Sequence, residues 1–493
     1  MGRKIGKIAA MGKIAAEFRD KGLFVRLFGA DVYAVGGYVR DLILGRPAPE
    51  VDLLVARHPL EDIVGRLEPH GKVDLVGRSF GIVKFTKKGV TYDVALPRTD
   101  APRDVSAGVK GHKDFVIAAD PFLPVEKDLE RRDFRANSMA VRLSDGTVID
   151  PFEGRKDIRA RLIRVTNPAA FPDDPLRILR AARFASVLGF RVDPKIYATA
   201  KDIDLSGLSV ERVNEEVFKI LLDSPKPSVG LEELFRVGAL EKLFPELYAM
   251  TLCIQDAIFH PETDAFGHHT VWAHTKLSVD QARSLASVVG LDRPRALALL
   301  LAALYHDAGK PETTRWEFKR GRMAVTSAGH DIQSERIALK AFTRLRIHSW
   351  NGCDLEKTVP PLIRTHHRST ELWQNRDAVT RKAFNRLAAD VGGEIELLVY
   401  LDAADRAGRK ARPLRALDRE ARWLFAKFEE LRVNRETIKP LILGRDLIKM
   451  GVAPGPDMGK VLKRLYAMQI DNAFETRAGG LKAAHKLIGG AAS

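Results

Sequence analysis

The run Val35-Gly36-Gly37-Tyr38-Val39-Arg40-Asp41-Leu42-Ile43-Leu44-Gly45, followed by Glu50-Val51-Asp52, limits the possible folds of this chain more than any other segment. The stretch ending at Val35 reads as a strand, the paired glycines as a tight turn, and Val39 to Leu44 as a helix. Glycines at such a turn let backbone N–H groups approach a phosphate at a helix N-terminus, and Arg40 can neutralise its charge. Residues i and i+2 of a strand face the same way, so Glu50 and Asp52 are expected to converge on a cation. Asp93, in the β-rich run Thr91-Tyr92-Asp93-Val94-Ala95-Leu96, offers a third carboxylate. A glycine turn beside clustered acids suits a nucleoside triphosphate carried with Mg²⁺.

Composition narrows the class. At 493 residues the chain is too long for one core, and 45% hydrophobic content supports several folded domains. Lys and Arg number 80 against 64 Asp and Glu, a formal charge of +16 that suits a polyanionic partner held in a salt-dependent way. Only Cys253 and Cys353 are present, which excludes a disulfide framework and a thiolate zinc knuckle and fits a reducing cytoplasm. No apolar run reaches membrane-spanning length, and Met1 to Lys21 lacks the apolar stretch of a signal peptide. That start repeats itself, Gly6-Lys7-Ile8-Ala9-Ala10 returning as Gly12-Lys13-Ile14-Ala15-Ala16, and is expected to form a basic amphipathic helix within segment 1–25.

From 26 to 155, β-rich runs at Asp31 to Val35, Val51 to Val55, Gly81 to Phe85, Val90 to Leu96 and Ala140 to Leu143 predict a small mixed sheet with helices on one side. Beyond 156 the pattern is helical. A helix is expected from Pro175 through Phe184, another over Val210 to Leu222, and Pro225 and Pro227 mark a joint near the end of a neck segment, 156–255. A block 256–410 contains a helix starting near Pro294 that places Leu297, Leu300, Leu301 and Leu304 on one face before His306, Asp307 and a stop at Gly309. The last segment, 411–493, is helical and basic. The fold class expected is α+β, a mixed-sheet head followed by helical domains.

The segments GGYVRDLILGRP with EVD, VGRSFGIVKF, YDVALPR, DLERRDFRANSMA, DPFEG, FPDDPLRILRAARFASVLGF and SVERVNEE, in that order over roughly residues 30 to 225, resemble the class II nucleotidyltransferases, the tRNA CCA-adding enzymes and bacterial poly(A) polymerases. The resemblance implies a polymerase-beta-like head. It implies triphosphate binding by Gly36, Gly37, Arg40 and Asp41, catalytic acids Glu50, Asp52 and Asp93, ribose recognition by Arg132 and Asp133, and base recognition by Asp174 and Arg177. An N-terminal cap with an ion pair explains the last two residues equally well. The chain departs from the family pattern at Glu50, where Asp is usual, at Arg135, where Thr is usual, and at Asp173, where Glu is usual.

Histidines gather in the 256–410 block at His260, His268, His269, His274, His306, His330, His366 and His367, with Asp307 beside His306 and Asp405 in Ala403-Ala404-Asp405-Arg406. Such a set suits one or two divalent metals and an activated water. The block resembles the HD-type phosphohydrolase domain, which implies metal ligands at His274, His306, Asp307 and Asp405, with His330 and the His366-His367 pair matching two-metal members. The tail, Leu441 to Ile448 and Gly451 to Pro456, resembles that of long CCA-adding enzymes and implies tRNA contacts by Lys460, Lys463 and Arg464; a solvated helix face explains these charges as well.

The expected function is addition of CMP and AMP from CTP and ATP to a tRNA 3′ end. A poly(A) polymerase, or an enzyme adding only CC or only A, shares that chemistry, and the loop from about Arg103 to Lys127 bears on the difference. Rivals of another class are a metal-dependent phosphohydrolase with an RNA-binding head and a non-catalytic RNA scaffold.

Overall fold

The computed structural model describes residues 14, 16–76, 81–102, 115–319, 321–409, 414–431 and 439–489. The expected N-terminal helix falls almost wholly outside the described residues, as does the expected loop up to residue 114. The chain divides into two compact units, Met1–Ile220 with Val229–Leu243, and Leu221–Ser228 with Phe244–Ser493.

The first unit is built on strands β1 (Val32–Val35), β2 (Asp52–Val55), β3 (Lys72–Leu75), β4 (Ile82–Lys87), β5 (Val90–Ala95), β6 (Arg98–Pro102), β7 (Phe115–Ala119), β8 (Ala140–Arg142) and β9 (Val148–Ile149). Seven of these form one mixed sheet in the order β3-β4-β5-β2-β1-β8-β9, and β6 pairs with β7 apart from it. Strand β1 lies inside the sheet and is buried along its length, as its Val-Tyr-Ala-Val sequence requires. It runs antiparallel to β2 and β8, whereas β2 and β5 are parallel. Tyr33, Val35 and Leu54 pack against Val125 and Leu129 of the helix Val125–Glu130, which fixes where the chain enters Arg131-Arg132-Asp133. Helix Leu176–Leu188 follows Pro175, and helix Val210–Asp223 ends just before the Pro225 and Pro227 break.

In the second unit, the helices Val271–Val288, Arg293–Tyr305 and Ile395–Ala407 pack together, joined by His330–Leu345 and Leu355–Thr365. The tail helices Gly444–Lys449, Pro456–Ile470 and Arg477–Gly489 close around Ile442, Leu447, Leu465 and Phe474. The helical regions also contain strand pairs that sequence patterning misses: Leu162–Ile163 with Arg191–Val192, the hairpin Arg315–Lys319 with Arg322–Thr326, and Ser349–Trp350 with Cys353–Asp354. No described helix is long and apolar enough to cross a membrane.

Candidate functional sites

In the head, one end of the sheet gathers the predicted acids. Val35 lies opposite Asp52, and Asp52 is in parallel register with Asp93. Strand β2 begins at Asp52, so the expectation that Glu50 shares the strand is corrected: Glu50 sits in the exposed connection just before it. Its charge still reaches Asp52. Desolvation raises the Asp52 carboxyl above its ordinary range, Arg132 pulls it down, and Asp93 and Glu50 push it up. The residue also presents surface to solvent. Acids that repel one another while facing solvent match the donor set an oxygen-seeking cation takes.

Gly36 has φ +70°, and its N–H donates to the Met139 carbonyl at 3.1 Å. A Cβ at Gly36 would lie 2.7 Å from Arg132 Nη1, so the left-handed backbone and the close guanidinium both favour glycine there, with Asp52 Oδ2 in ordinary van der Waals range at 3.8 Å. Gly37 opens the helix Gly37–Leu44.

The arginines are distributed differently from the sequence expectation. Arg40 is buried, makes a bidentate pair with Asp41 at 2.9 and 2.8 Å and donates to Asn137 Oδ1 at 2.7 Å, so it braces the turn from inside. Arg132 instead stands at the turn, held by Asp128 at 3.1 Å. Asp133, expected at the ribose, is also buried. It accepts from the Phe134 N–H at 2.7 Å, Asn137 Nδ2 at 3.0 Å and both Arg180 Nε at 2.7 Å and Nη2 at 2.6 Å. Those four bonds fill the acceptor capacity of a carboxylate and leave none for a ribose hydroxyl in this arrangement. Burial opposes ionisation of Asp133, but Arg180, Asn137 and the Phe134 N–H overcome it and lower its pKa to about 2.

Asp174 caps the Leu176 N–H at 3.2 Å and pairs with Arg212 at 3.3 Å. Arg177 donates to the carbonyls of Ala170 at 2.5 Å and Arg131 at 2.9 Å. The cap-and-pair arrangement therefore holds in this conformation, with Arg212 rather than Arg177 as the partner. Sequence reasoning missed Asn137, Arg180, Arg183, Phe184 and Glu216. Arg183 meets Glu216 at 2.5 Å, and Arg40, Arg180 and Arg183 surround the Phe184 ring at 5.2, 5.4 and 4.0 Å. The repeated Arg spacing in Arg177-Ile178-Leu179-Arg180-Ala181-Ala182-Arg183 was the available signal.

In the second unit, five helix ends supply the histidine cluster. His274 lies in the first turn of Val271–Val288, His306 and Asp307 follow Arg293–Tyr305, His330 opens His330–Leu345, His366 follows Leu355–Thr365, and Asp405 lies near the end of Ile395–Ala407. His274 Nε2 is 2.7 Å from Asp405 Oδ1, and His306 Nε2 is 3.5 Å from the same oxygen and 3.3 Å from Asp307. His330 Nε2 is 3.3 Å from Asp307 Oδ1. His367 Nε2 is 3.0 Å from His330 Nε2, and His366 completes a group whose donor atoms lie within 4.8 Å of one another. Both members of the histidine pair are thus within reach.

His306, His330 and His366 each donate Nδ1–H to a carbonyl three residues back, on Ala303, Ser327 and Ile363, which turns Nε2 inward. The Nε2 atoms of buried His306 and His366 make no hydrogen bond among the described residues. Inward-facing imidazoles beside two carboxylates fit a divalent metal. Burial disfavours the His306 cation, yet Asp307 and Asp405 raise its pKa to about 10. Burial and the neighbouring histidines push His366 well below its ordinary value. Lys310 Nζ, missed in the sequence, pairs with Asp307 at 2.7 Å. His268, counted in the histidine set, points away to Asp264 at the surface. In the tail, Lys460 pairs with Asp457 at 2.8 Å, and Lys463 and Arg464 are exposed.

Comparison with known proteins agrees with both centres. The poly A polymerase head domain family matches residues 32–164, a family described as the probable RNA and SrmB-binding site of polymerase A matches 189–250, and the HD domain family matches 271–407. This is a nucleotidyltransferase head followed by a polymerase-type RNA-binding region and an HD domain. The multifunctional CCA protein of Stenotrophomonas maltophilia is 33% identical over 450 residues, covering 88% of this chain and 97% of its own, and that of Methylococcus capsulatus is 33% identical over 88% and 92%. The chain belongs to the multifunctional CCA protein family. Its fold is shared with the CCA-adding enzyme of Bacillus stearothermophilus, solved with CTP (TM-score 0.60, 24% identity, 95% and 98% coverage), and with that of Thermotoga maritima, solved with tRNA (0.53, 19%, 99% of each).

Proposed function

We infer that this chain adds CMP and AMP from CTP and ATP to the 3′ end of tRNA in the cytoplasm. The observation that carries the reading is the meeting of Gly36, Asp52, Asp93 and Arg132 at one end of the head sheet. Asp52 with Asp93 and Glu50 would hold Mg²⁺, which when bound neutralises the triphosphate and eases ionisation of the attacking 3′-hydroxyl. The terminal hydroxyl forms a bond to the α-phosphorus in line with departing pyrophosphate, and its proton leaves to solvent. Arg132 faces the turn as the cation for the phosphates, and the N-terminus of Gly37–Leu44 presents its unpaired N–H groups there.

Asp133 then acts as a strut, holding Arg180 and the segment that carries Arg132. Asp174 and Arg177 select the base by hydrogen bonds to its edge once they release Arg212 and the two carbonyls. The five-part division at 25, 155, 255 and 410 is the domain plan this reading uses.

Incubating the protein with tRNA that ends at the discriminator base and with CTP or ATP singly tests the reading. CTP alone should give two additions, and ATP alone none until CC is present. Unlimited A addition points to a poly(A) polymerase, and arrest at CC to a partial enzyme.

The histidine cluster supports a second reading alongside the first, a metal-dependent phosphohydrolase acting on a phosphate ester. Its ligands would be His274, His306, Asp307, His330, His366 and Asp405, and the metal would supply an activated water. Release of phosphate from a phosphomonoester or opening of a 2′,3′-cyclic phosphate, lost on Asp405→Asn, is the matching assay.

A further inference from the structure

His274 differs from the other buried imidazoles of its cluster in what lies behind it. His306, His330 and His366 sit at helix ends, where Nδ1–H reaches a carbonyl three residues back at 2.9, 2.7 and 2.6 Å. His274 lies inside the first turn of its helix. There the Thr270 carbonyl already takes the His274 backbone N–H at 3.4 Å and Gln255 Nε2 at 3.2 Å. Helical carbonyls point along the axis, so the ring needs an acceptor from elsewhere.

A side chain lies where that acceptor is needed. Glu262 Oε1 lies 2.7 Å from His274 Nδ1, on the opposite side of the ring from Asp405, and 3.0 Å from His260 Nδ1. The Glu262 side chain is 3% exposed although it stands in a loop. The loop is clamped: the Gln255 N–H donates to the His269 carbonyl at 2.8 Å, His269 Nδ1 meets the Glu262 carbonyl at 3.1 Å, and Lys310 donates to Gln255 Oε1 at 2.7 Å. In this structure His274 Nε2 makes the hydrogen bond to Asp405 Oδ1 at 2.7 Å, while Nδ1, 2.7 Å from Glu262 Oε1, makes no aligned hydrogen bond. A buried carboxylate at that distance is placed to accept from Nδ1 once Nε2 is taken by a metal, and then fixes the tautomer and orientation of the ring.

We propose that Glu262 is a positioning residue of the metal centre: when a metal takes the Nε2 lone pair of His274 beside Asp405, the ring proton sits on Nδ1, Glu262 accepts from it and fixes the ring, and His260 steadies Glu262 from behind. The proposal rests on reading the histidine cluster as a metal centre. The competing arrangement, in which His260, Glu262 and His274 Nδ1 bind a metal themselves, has donor atoms close enough to one another. It would keep the proton on His274 Nε2, directed at Asp405, but would leave the inward Nε2 atoms of His306 and His366 without a partner among the described residues.

The test uses full-length protein carrying Asp52→Asn, which removes the head's cation site. After chelation, Co²⁺ is titrated by calorimetry with the visible absorption recorded. Glu262→Gln keeps size and burial while losing the charge. It should weaken Co²⁺ binding ~10- to 100-fold, the range for lost outer partners of metal-bound histidines. Stoichiometry should stay unchanged and the Co²⁺ absorption should be altered. In a His274→Ala background the same substitution should add nothing, whereas a general structural role would add its full effect.

Unchanged affinity in Glu262→Gln overturns the proposal. So does loss of one whole equivalent of Co²⁺ with the remaining affinity intact, since that marks Glu262 as a ligand. A parent that binds no Co²⁺ overturns the metal-centre reading and this proposal with it. Loss in Asp405→Asn with normal binding in Glu262→Gln overturns this proposal alone.

Discussion

Asp52 is a residue at which fold and function oppose each other. Its carboxyl is raised by desolvation, Asp93 and Glu50, so its ionised form costs the folded state stability at neutral pH. Asp52→Asn should therefore melt no lower than the parent while nucleotide incorporation falls ~1,000-fold or more, as expected for removing a metal-binding carboxylate; a lower melting temperature would contradict the charge reading. Asp133 has the opposite sign. Its folded pKa of about 2 lies below the ordinary value of 3.8, so it stabilises the fold above that value, and this share is lost as pH falls from about 4 to 2. The share is on the order of 2 kcal/mol, and Asp133→Asn should flatten acid unfolding over that window. The acids were legible in the sequence because spacing and a strand signal suffice to place them. The pairings of Arg40 with Asn137, Arg177 with the Arg131 carbonyl and Arg180 with Asp133 were not, because each joins segments far apart in the chain.

Among the elements, the glycine turns carry the most consequence. A Cβ at Gly309 would run into the His330 carbonyl and lie 2.6 Å from the Ser334 N–H, so this glycine lets the helix His330–Leu345 come up against the turn holding His306 and Asp307. Gly309→Ala should cost on the order of 1 to 3 kcal/mol by overpacking and reduce metal retention, measured by elemental analysis after dialysis. Full retention would show that the helix can shift freely. Strands of four to six residues with β-branched sequences were readable at β1, β2, β4 and β5. The two-residue pairs at Leu162–Ile163 and Ser349–Trp350 were not, because so short a pairing has no periodicity. The hairpin Arg315–Lys319 alternates charge with exposed aromatic residues, with Trp316 67% and Phe318 71% exposed, so its pattern lacks the apolar-in signal of a half-buried strand.

Over the whole molecule, the two centres use different ligands in separate compact units, and the net charge of +16 belongs to both. Asp405→Asn should abolish phosphohydrolysis and leave incorporation within about twofold of the parent, since Asp405 belongs to the second unit and the candidate transfer residues to the first. Apparent affinity for tRNA should fall steeply between low and physiological salt, and more gently once Lys463 and Arg464 are replaced by alanine. An unchanged salt slope in that double variant would assign the exposed tail cations to solvation alone. The central claim is that the end of the head sheet carrying Gly36, Asp52 and Asp93 transfers nucleotides. It is tested most directly by end-labelling a tRNA that stops at the discriminator base, using CTP and ATP with Mg²⁺, for the parent and for Asp52→Asn side by side. The parent should extend the tRNA by C, C and A and then stop while the variant leaves it unextended; no extension by the parent with Mg²⁺ or Mn²⁺, or equal extension by both proteins, would contradict the account.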